Sequence, residues 1–223
     1  MKQPKAQLPP QSGLSRGFTL IEVLTVIAII AVLMAAGAIG LGNLKAGKGT
    51  SSAIASCESL FEEARTIAVS NNCKSRIMVD ARTGKNTYLR RVVVVREEID
   101  LDGAPVPNSW ILASRGYEMP QGTFFSQDYS KGNGGTASLA TESMTMKSES
   151  GKSMTDYDGD YYIYEFNGQG IFDEAGASFV VGAGKPPTNA NPKPKTTGSE
   201  ARDFAGFVIW RNGRSSTYRN PEQ

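Results

Sequence analysis

The sequence of 223 residues contains no histidine and only two cysteines. Histidine is the commonest general base of enzymes and, together with cysteine, supplies most zinc ligands. Its absence excludes catalytic triads built on histidine, and two cysteines are too few for an ordinary zinc site. The sequence also contains no nucleophile elbow, phosphate-binding glycine loop or metal pair. We therefore expect no enzyme activity and no cofactor.

The two cysteines, Cys57 and Cys73, are predicted to be separate thiols. If the helix that carries Cys57 runs to about residue 71, a rise of about 1.5 Å per residue separates the two Cα atoms by roughly 20 Å. A disulfide requires Cα atoms that lie closer than about 7 Å. Cys57 is accordingly expected to be a packed core residue.

The sequence also lacks a large excess of charge of one sign, since it has 24 lysines and arginines and 22 aspartates and glutamates. Lys2, Lys5 and Arg16 are the basic residues before the long apolar run, and no acid accompanies them. The remainder of the chain therefore carries 21 basic and 22 acidic residues. A nearly neutral body of this kind gives no electrostatic sign of a nucleic-acid partner.

One long apolar run is present, from Phe18 to Leu44, and its single acid is Glu22. As a helix it would measure about 40 Å, which exceeds a bilayer core of about 30 Å. Its basic flank predicts a cytoplasmic N-terminus and a body on the opposite side of the membrane. A carboxylate at the centre of a bilayer costs roughly 2.5 to 3.5 kcal/mol, so Glu22 is expected to need a charged partner.

Residues 16–33, RGFTLIEVLTVIAIIAVL, resemble the class III signal of type IV pilins and type II secretion pseudopilins. The resemblance implies that residues 1–17 are a leader and that prepilin peptidase cleaves between Gly17 and Phe18. It further implies N-methylation of Phe18 and a single-pass location in the inner membrane with a periplasmic body. Glu22 would then set the register of assembly by meeting the amino group of Phe18 on a neighbouring subunit. The alternative is a simple membrane anchor with an isolated carboxylate.

Many members of this family carry a proline about twenty residues into the mature helix, and this chain has none there. Gly37, Gly40 and Gly42 occupy that region instead. Each glycine costs about 1 kcal/mol relative to alanine in a helix exposed to water, which would permit local unwinding in a filament. The other interpretation is that small residues allow close helix packing in lipid. The sequence does not decide between the two.

The helical pattern continues over residues 45–72 as an amphipathic half. Its apolar residues recur at spacings of three and four: Ile54, Cys57, Phe61, Ala64 and Ala68. The segment Ser70–Lys74 is predicted to end the helix, because asparagine tolerates the left-handed backbone conformation of helix ends. The sequence thus predicts a helix with one face against a sheet.

Residues 73–223 are predicted to form a β-rich body. Runs of β-branched and aromatic residues predict strands at Ser75–Asp80, Thr87–Glu98, Ser109–Ala113, Tyr161–Asn167, Ala177–Gly182 and Gly206–Arg219. The last run contains Asn212-Gly213, which predicts a hairpin with a two-residue primed turn. Residues 130–160 and 182–200 are predicted to be long exposed loops outside the core. The expected fold is α+β, with a long N-terminal helix packed on an antiparallel sheet.

Three stretches of the body narrow the resemblance: Cys57–Asp80, the turn Phe166–Gly170 and the closing turn Asn212–Arg214. They are similar to the H-type minor pseudopilins and the FimT-like pilins. This implies a structural subunit of a type II secretion pseudopilus or a type IV pilus-like filament. Its implied partners are other pilins or pseudopilins, prepilin peptidase, an inner-membrane assembly platform and membrane lipid. Secretion and pilus systems are not distinguished.

Some FimT-like pilins bind DNA during uptake, which supplies an alternative function. The candidate residues are Arg202, Arg211, Arg214 and Arg219, which are interleaved with Trp210 and Tyr218. Arginine and aromatic side chains together suit phosphate contacts and base stacking. On a nearly neutral body the same arginines also fit an ordinary solvated hairpin, which we favour.

Asp156, Asp158 and Asp160 place three carboxylates within five residues. Calcium prefers oxygen-rich turns, and some relatives of this family bind it in a loop. The spacing does not follow the EF-hand pattern, which needs a glycine at its sixth position and a distant glutamate. A solvated acidic turn is the preferred interpretation, and no metal is expected.

Overall fold

The computed structural model describes residues 19–184 and 204–219, without the side chains of residues 35–48 and of Arg219. The chain divides into two units, residues 1–42 and residues 43–223. The described part consists of one long helix, α1, nine strands in antiparallel sheets, and two short 3-10 helices at Asn133–Gly135 and Thr155–Tyr157. The predicted combination of an N-terminal helix with an antiparallel β body is therefore confirmed.

Helix α1 spans Leu20–Asn71. The predicted apolar stripe of its second half is buried, from Ile54 through Phe61 to Ala68. The helix ends where the sequence predicted: Asn72 has a φ of +48°, and the amide of Cys73 donates to the carbonyl of Ala68 across 3.2 Å. This left-handed cap satisfies carbonyls that the last helical turn leaves without intrahelical donors.

The first turns of α1 expose apolar side chains in every direction. Leu20, Ile21, Val23 and Leu24 each expose half or more of their surface, and similar residues continue to Met34. The sequence predicted these residues to belong to the membrane-spanning half of the helix. Among the described residues, no helix has a stretch both long and apolar enough for a membrane crossing. The predicted transmembrane half, residues 18–44, lies partly outside the described residues and side chains.

The strands form two sheets. Their bounds are β1 Ser75–Asp80, β2 Arg91–Ile99, β3 Pro105–Glu118, β4 Thr123–Phe125, β5 Thr141–Met144, β6 Gly159–Phe166, β7 Ala177–Ala183, β8 Phe204–Ile209 and β9 Ser215–Arg219. The first sheet has the order β3-β2-β1-β6-β5, and the second has the order β4-β7-β8-β9. All neighbouring strands are antiparallel. In the first sheet β1 lies between β2 and β6, which are far apart in the sequence.

Phe61 of α1 lies at the centre of the main core. Its ring contacts Tyr164 and Phe166 of the first sheet at centroid distances of 5.3 and 6.4 Å. It also contacts Phe179 and Phe207 of the second sheet at 5.5 and 5.0 Å. The interplanar angles are near perpendicular, the edge-to-face arrangement that aromatic rings prefer. One helical side chain thus joins both sheets in a single core.

A second core lies on the opposite face of the first sheet. The run Val92–Val95 is entirely buried because alternate side chains point to opposite faces: Val92 and Val94 join the main core, whereas Val93 and Val95 join the second. Met144, Met146 and Trp110 cover that second face. The prediction that residues 130–160 contribute to no core is therefore wrong. Met144 and Met146 alternate with polar residues over too short a stretch to give a clear strand signal, yet they bury apolar surface against the sheet.

Several strand bounds also differ from the predictions. β4 and β5 were not predicted, because three or four residues without clear alternation carry little signal. β3 extends well beyond the predicted Ser109–Ala113, and the predicted start at Thr87 is a turn that precedes β2. The second loop was predicted to begin at Gly182, but Gly182 and Ala183 belong to β7. Residues 185–200 of that loop lie outside the described residues.

The closing hairpin β8–β9 is present, but its turn differs from the predicted two-residue type. The amide of Trp210 donates to the carbonyl of Arg214, and the amide of Gly213 donates to the carbonyl of Trp210. Of the Asn212-Gly213 pair only Gly213 has a positive φ, +74°. The loop therefore has three residues and ends with glycine in the left-handed region, the next commonest hairpin form.

Candidate functional site

The first turn of α1 is capped by Thr19. The amide of Glu22 lies 3.3 Å from Thr19 Oγ1 and 3.1 Å from the Thr19 carbonyl oxygen. Glu22 is thus the third helical residue, where a carboxylate interacts favourably with the positive end of the helix dipole. The sequence predictions did not include Thr19. The spacing Thr-x-x-Glu, a capping-box pattern, is the signal that identifies it.

Glu22 is the one ionisable residue between Leu20 and Met34. The other polar side chain there, Thr25, donates its hydroxyl to the carbonyl of Ile21 and is satisfied within the helix. No ion-pair partner of Glu22 lies within the described residues. Its predicted partner, the amino group of Phe18, and the predicted cleavage residue Gly17 lie outside that part of the chain.

The two turns that carried the narrower resemblance meet beside the end of α1. Arg65 Nε donates to the carbonyl oxygen of Gly170 across 3.3 Å. The amide of Phe172 donates to the carbonyl of Arg211 across 3.1 Å, which ties the turn after β6 to the closing hairpin. A Cβ on Gly213 would lie 2.8 Å from the Gly170 oxygen, so only glycine permits this approach. The sequence predicted both turns but not their contact.

The closing hairpin carries some of the residues that the sequence suggested for DNA binding. Trp210 is 51% exposed, and its indole nitrogen donates to Ser216 Oγ across 2.9 Å. Arg211 and Arg214 are exposed and form no ion pair with any described residue. Their turn therefore places two positive charges beside one exposed indole. Arg202 lies outside the described residues, and the side chain of Arg219 is not described.

Arg82 donates hydrogen bonds to the backbone of the acidic turn that holds Asp156, Asp158 and Asp160. Its Nη1 donates to the carbonyl of Asp156 across 2.6 Å and lies 3.4 Å from the carbonyl of Asp158. The carboxylates of Asp156 and Asp160 are exposed. Among the described residues no group of three or more acidic, histidine or cysteine side chains is placed to bind a metal ion. The guanidinium group of Arg82 thus places a positive charge at the backbone of this turn.

The comparison with protein families supports the interpretation of the N-terminal segment. The model for the prokaryotic N-terminal methylation motif matches residues 14–38, which include Gly17, Phe18 and Glu22. No curated protein and no solved structure matches the chain. The motif supports a type IV pilin-like protein that is cleaved and methylated at its N-terminus, with other pilins and a prepilin peptidase as partners. The narrower similarity to H-type pseudopilins and FimT-like pilins stays a prediction.

Proposed function

We propose that the protein is a minor pseudopilin or pilin, a structural subunit of a type II secretion pseudopilus or a type IV pilus-like filament. The observation that carries the proposal is the N-terminal methylation motif at residues 14–38, which runs into the first turns of α1. Residues 18–44 hold the subunit in the inner membrane, and residues 73–223 lie in the periplasm. The function is exercised by the filament, so the body needs no catalytic group.

The role of α1 in the body is consistent with this function. Its buried stripe includes Ala53, Cys57, Phe61 and Ala64, each with at most 2% of its surface exposed. The helix that carries the motif is therefore also the central element of the folded core. The second half of α1 is thus needed for the fold of the body, while its apolar first half remains available as the membrane anchor.

Glu22 provides the chemistry of assembly. Its carboxylate is costly in lipid, as is the amino group that cleavage after Gly17 would create on Phe18. Two adjacent subunits offset both costs when the carboxylate of one meets the amino group of the other. Correct stagger is thereby favoured over all other registers of the apolar helices.

The testing experiment is expression of the full chain in cells with an active prepilin peptidase, followed by intact mass and N-terminal sequencing of the membrane protein. We expect a chain that begins at N-methylated Phe18. A Gly17→Ala variant is the matched control, because it changes one methyl group at the cleavage point and should retain the leader. A wild-type chain that still begins at Met1 would overturn the proposal and leave an ordinary membrane anchor.

DNA binding is a second candidate, favoured by the exposed group of Trp210, Arg211 and Arg214 on one hairpin. The test is a gel-shift titration of the full chain with double-stranded DNA at several salt concentrations. Replacement of either Arg211 or Arg214 by alanine should weaken binding and flatten its salt dependence, because fewer counterions are released. Arg115→Ala is the control, since Arg115 is an exposed arginine of β3 without an ion pair among the described residues. Equal weakening by Arg115→Ala would identify general charge rather than the hairpin.

A further inference from the structure

A polar cleft of about 540 Å³ opens on the body where β5 and β6 meet the segment after β4. Its walls include Tyr162 and Asp160 of β6, Thr141 of β5, and Gln127 and Asp128 of the segment after β4. Its volume lies within the range of about 300–1,000 Å³ that is usual for ligand sites. None of the sequence predictions combined these residues, because three separate stretches of chain supply them.

The wall formed by residues 126–131 is held in place by the second sheet. The amide of Ser126 donates to the carbonyl of Val180, and the amide of Val180 donates to Ser130 Oγ, at 2.8 and 2.9 Å. The amide of Ser178 donates to the carbonyl of Lys131 across 2.8 Å. A segment anchored by three such bonds to β7 needs little ordering when a ligand binds. The cleft is thus preformed, which lowers the entropic cost of binding.

Tyr162 gives the cleft its accessible aromatic surface, and Tyr88 lines it from a buried position. Tyr88 is buried except for 6% of its area, and Tyr162 is half-buried with its ring 5.5 Å from that of Phe125. The hydroxyl of Tyr162 donates to Gln127 Oε1, which fixes the orientation of the amide. The amide nitrogen of Gln127 then keeps both of its hydrogens available as donors. Aromatic surface and oriented donors therefore stand side by side.

The charge of the cleft is negative. Asp128 and Asp160 line it together with one lysine, Lys131, and these three groups form no ion pair with any described residue. Burial and the neighbouring Tyr88 and Asp128 raise the pKa of Tyr162, so its hydroxyl stays a neutral donor at physiological pH. Carboxylates accept strong hydrogen bonds from hydroxyl groups but repel anions. The lining consequently favours hydroxyl donors without negative charge.

We propose that this cleft binds a neutral oligosaccharide. Sugar hydroxyls both donate and accept hydrogen bonds, which matches the carboxylates of Asp128 and Asp160 and the amide of Gln127. The C–H face of a pyranose ring is apolar and packs on an aromatic side chain such as Tyr162. The proposal is independent of filament assembly, so either one can fail without the other.

The test is isothermal titration of the full chain, purified in a polyoxyethylene detergent that carries no sugar. The probes are maltohexaose, cellohexaose and chitohexaose, with oligogalacturonate of similar length as the acidic comparison. We expect at least one neutral hexasaccharide to bind and oligogalacturonate to bind at least about tenfold more weakly. Asp160→Ala should weaken the neutral ligand about tenfold, the loss of one charge-assisted hydrogen bond.

Asp102→Ala is the matched control, because Asp102 is an exposed aspartate outside the cleft and without an ion pair among the described residues. It should bind as the wild type does. Asp128→Asn keeps the shape of an exposed side chain and tests the cleft a second time without risk to folding. The proposal is overturned if no neutral probe binds, if oligogalacturonate binds equally well, or if Asp160→Ala and Asp128→Asn bind like the control.

Discussion

Asp80 and Arg82 form a buried ion pair at the end of β1. Arg82 Nη2 lies 2.6 Å from Asp80 Oδ2, and the two side chains expose 9% and 0% of their surface. Thr87 Oγ1 donates to the same carboxylate oxygen across 2.6 Å. Burial by itself would raise the pKa of Asp80, but the hydrogen bonds from Arg82 and Thr87 outweigh burial and hold that pKa below its ordinary value. The pair therefore links the stability of the body to pH.

The first prediction concerns this linkage. Because the pKa of Asp80 is lower in the folded chain, its contribution to stability is fully present above the ordinary value of 3.8. It is lost as the pH falls through the lower, folded value. Arg82→Met would leave the buried carboxylate of Asp80 without its charged partner. The free energy of unfolding should fall by about 3–5 kcal/mol near neutral pH. That cost should shrink near pH 4, where protonation of Asp80 removes the unpaired charge.

The measurement is urea unfolding of the full chain in detergent, near neutral pH and near pH 4. Tryptophan fluorescence monitors the transition. Trp110 reports on the second core, in which it is 7% exposed. Arg214→Met is the control, because Arg214 is exposed and the change removes the same charge. An Arg82→Met cost that is the same at both pH values would contradict the role of the Asp80 charge.

The second prediction concerns Gly213, whose φ is +74°. In Gly213→Ala the new Cβ would lie 2.7 Å from Arg65 Cδ and 2.8 Å from the Gly170 oxygen. We expect a loss of about 2–4 kcal/mol, the sum of a left-handed backbone and an overpacked contact. Gly103→Ala is the control, since Gly103 has a φ of +82° and no heavy atom within 4 Å of the added Cβ. Equal losses of unfolding free energy in the two variants would show that the contact with α1 and Gly170 contributes nothing.

The third prediction concerns the thiols. Cys57 and Cys73 are both free, as the sequence predicted, and both are buried, which was predicted for Cys57 alone. Burial raises the pKa of both thiols, so little reactive thiolate forms in the folded chain. Ellman's reagent at about pH 8 should therefore label neither cysteine natively and both in urea. Rapid labelling of the native protein, or a native mass lower by two hydrogens, would contradict this arrangement.

The fourth prediction concerns Glu22 and rests on the proposed function. Glu22→Val should leave membrane insertion intact and reduce filament assembly, because the apolar helix remains while the charge that offsets the neighbouring amino group is lost. The measurement compares the protein in membranes with that in filaments sheared from the cells. Thr25→Val is the control, since the Thr25 hydroxyl is already bonded to the Ile21 carbonyl of its own helix. Normal assembly of Glu22→Val would refute the pairing.

Much of the fold was predictable where neighbouring residues act together. The stripe from Ile54 to Ala68 follows the helical period, and Asn72 ends the helix because asparagine tolerates a positive φ. β1 and β7 were predicted nearly to the residue, because runs of β-branched residues suit a buried strand. Local periodicity and backbone preference were sufficient in these places.

The main failure lies where residues that are distant in the sequence act together. Met144 and Met146 stand in a polar stretch, and only the uncovered outer face of the first sheet gives them a place to be buried. The closing turn has three residues because Trp210 and Arg214 pair across it, which the Asn-Gly signal did not reveal. The methionines depend on a sheet face formed by distant segments, whereas the turn depends on a pairing four residues apart that the Asn-Gly pair alone does not fix.

The sequence by itself determined the processing motif, the apolar first turns with their single carboxylate, and the α+β combination of helix and strands. The tertiary structure decided which segments meet. It brought Arg82 to the carbonyl of Asp156, Gly213 to Gly170, and Gln127 to Tyr162. Preferences for helix, strand or turn depend on neighbouring residues and can therefore be predicted from the sequence. Contacts across the body depend on which faces must be buried together, and only the folded arrangement of both sheets around Phe61 settles them.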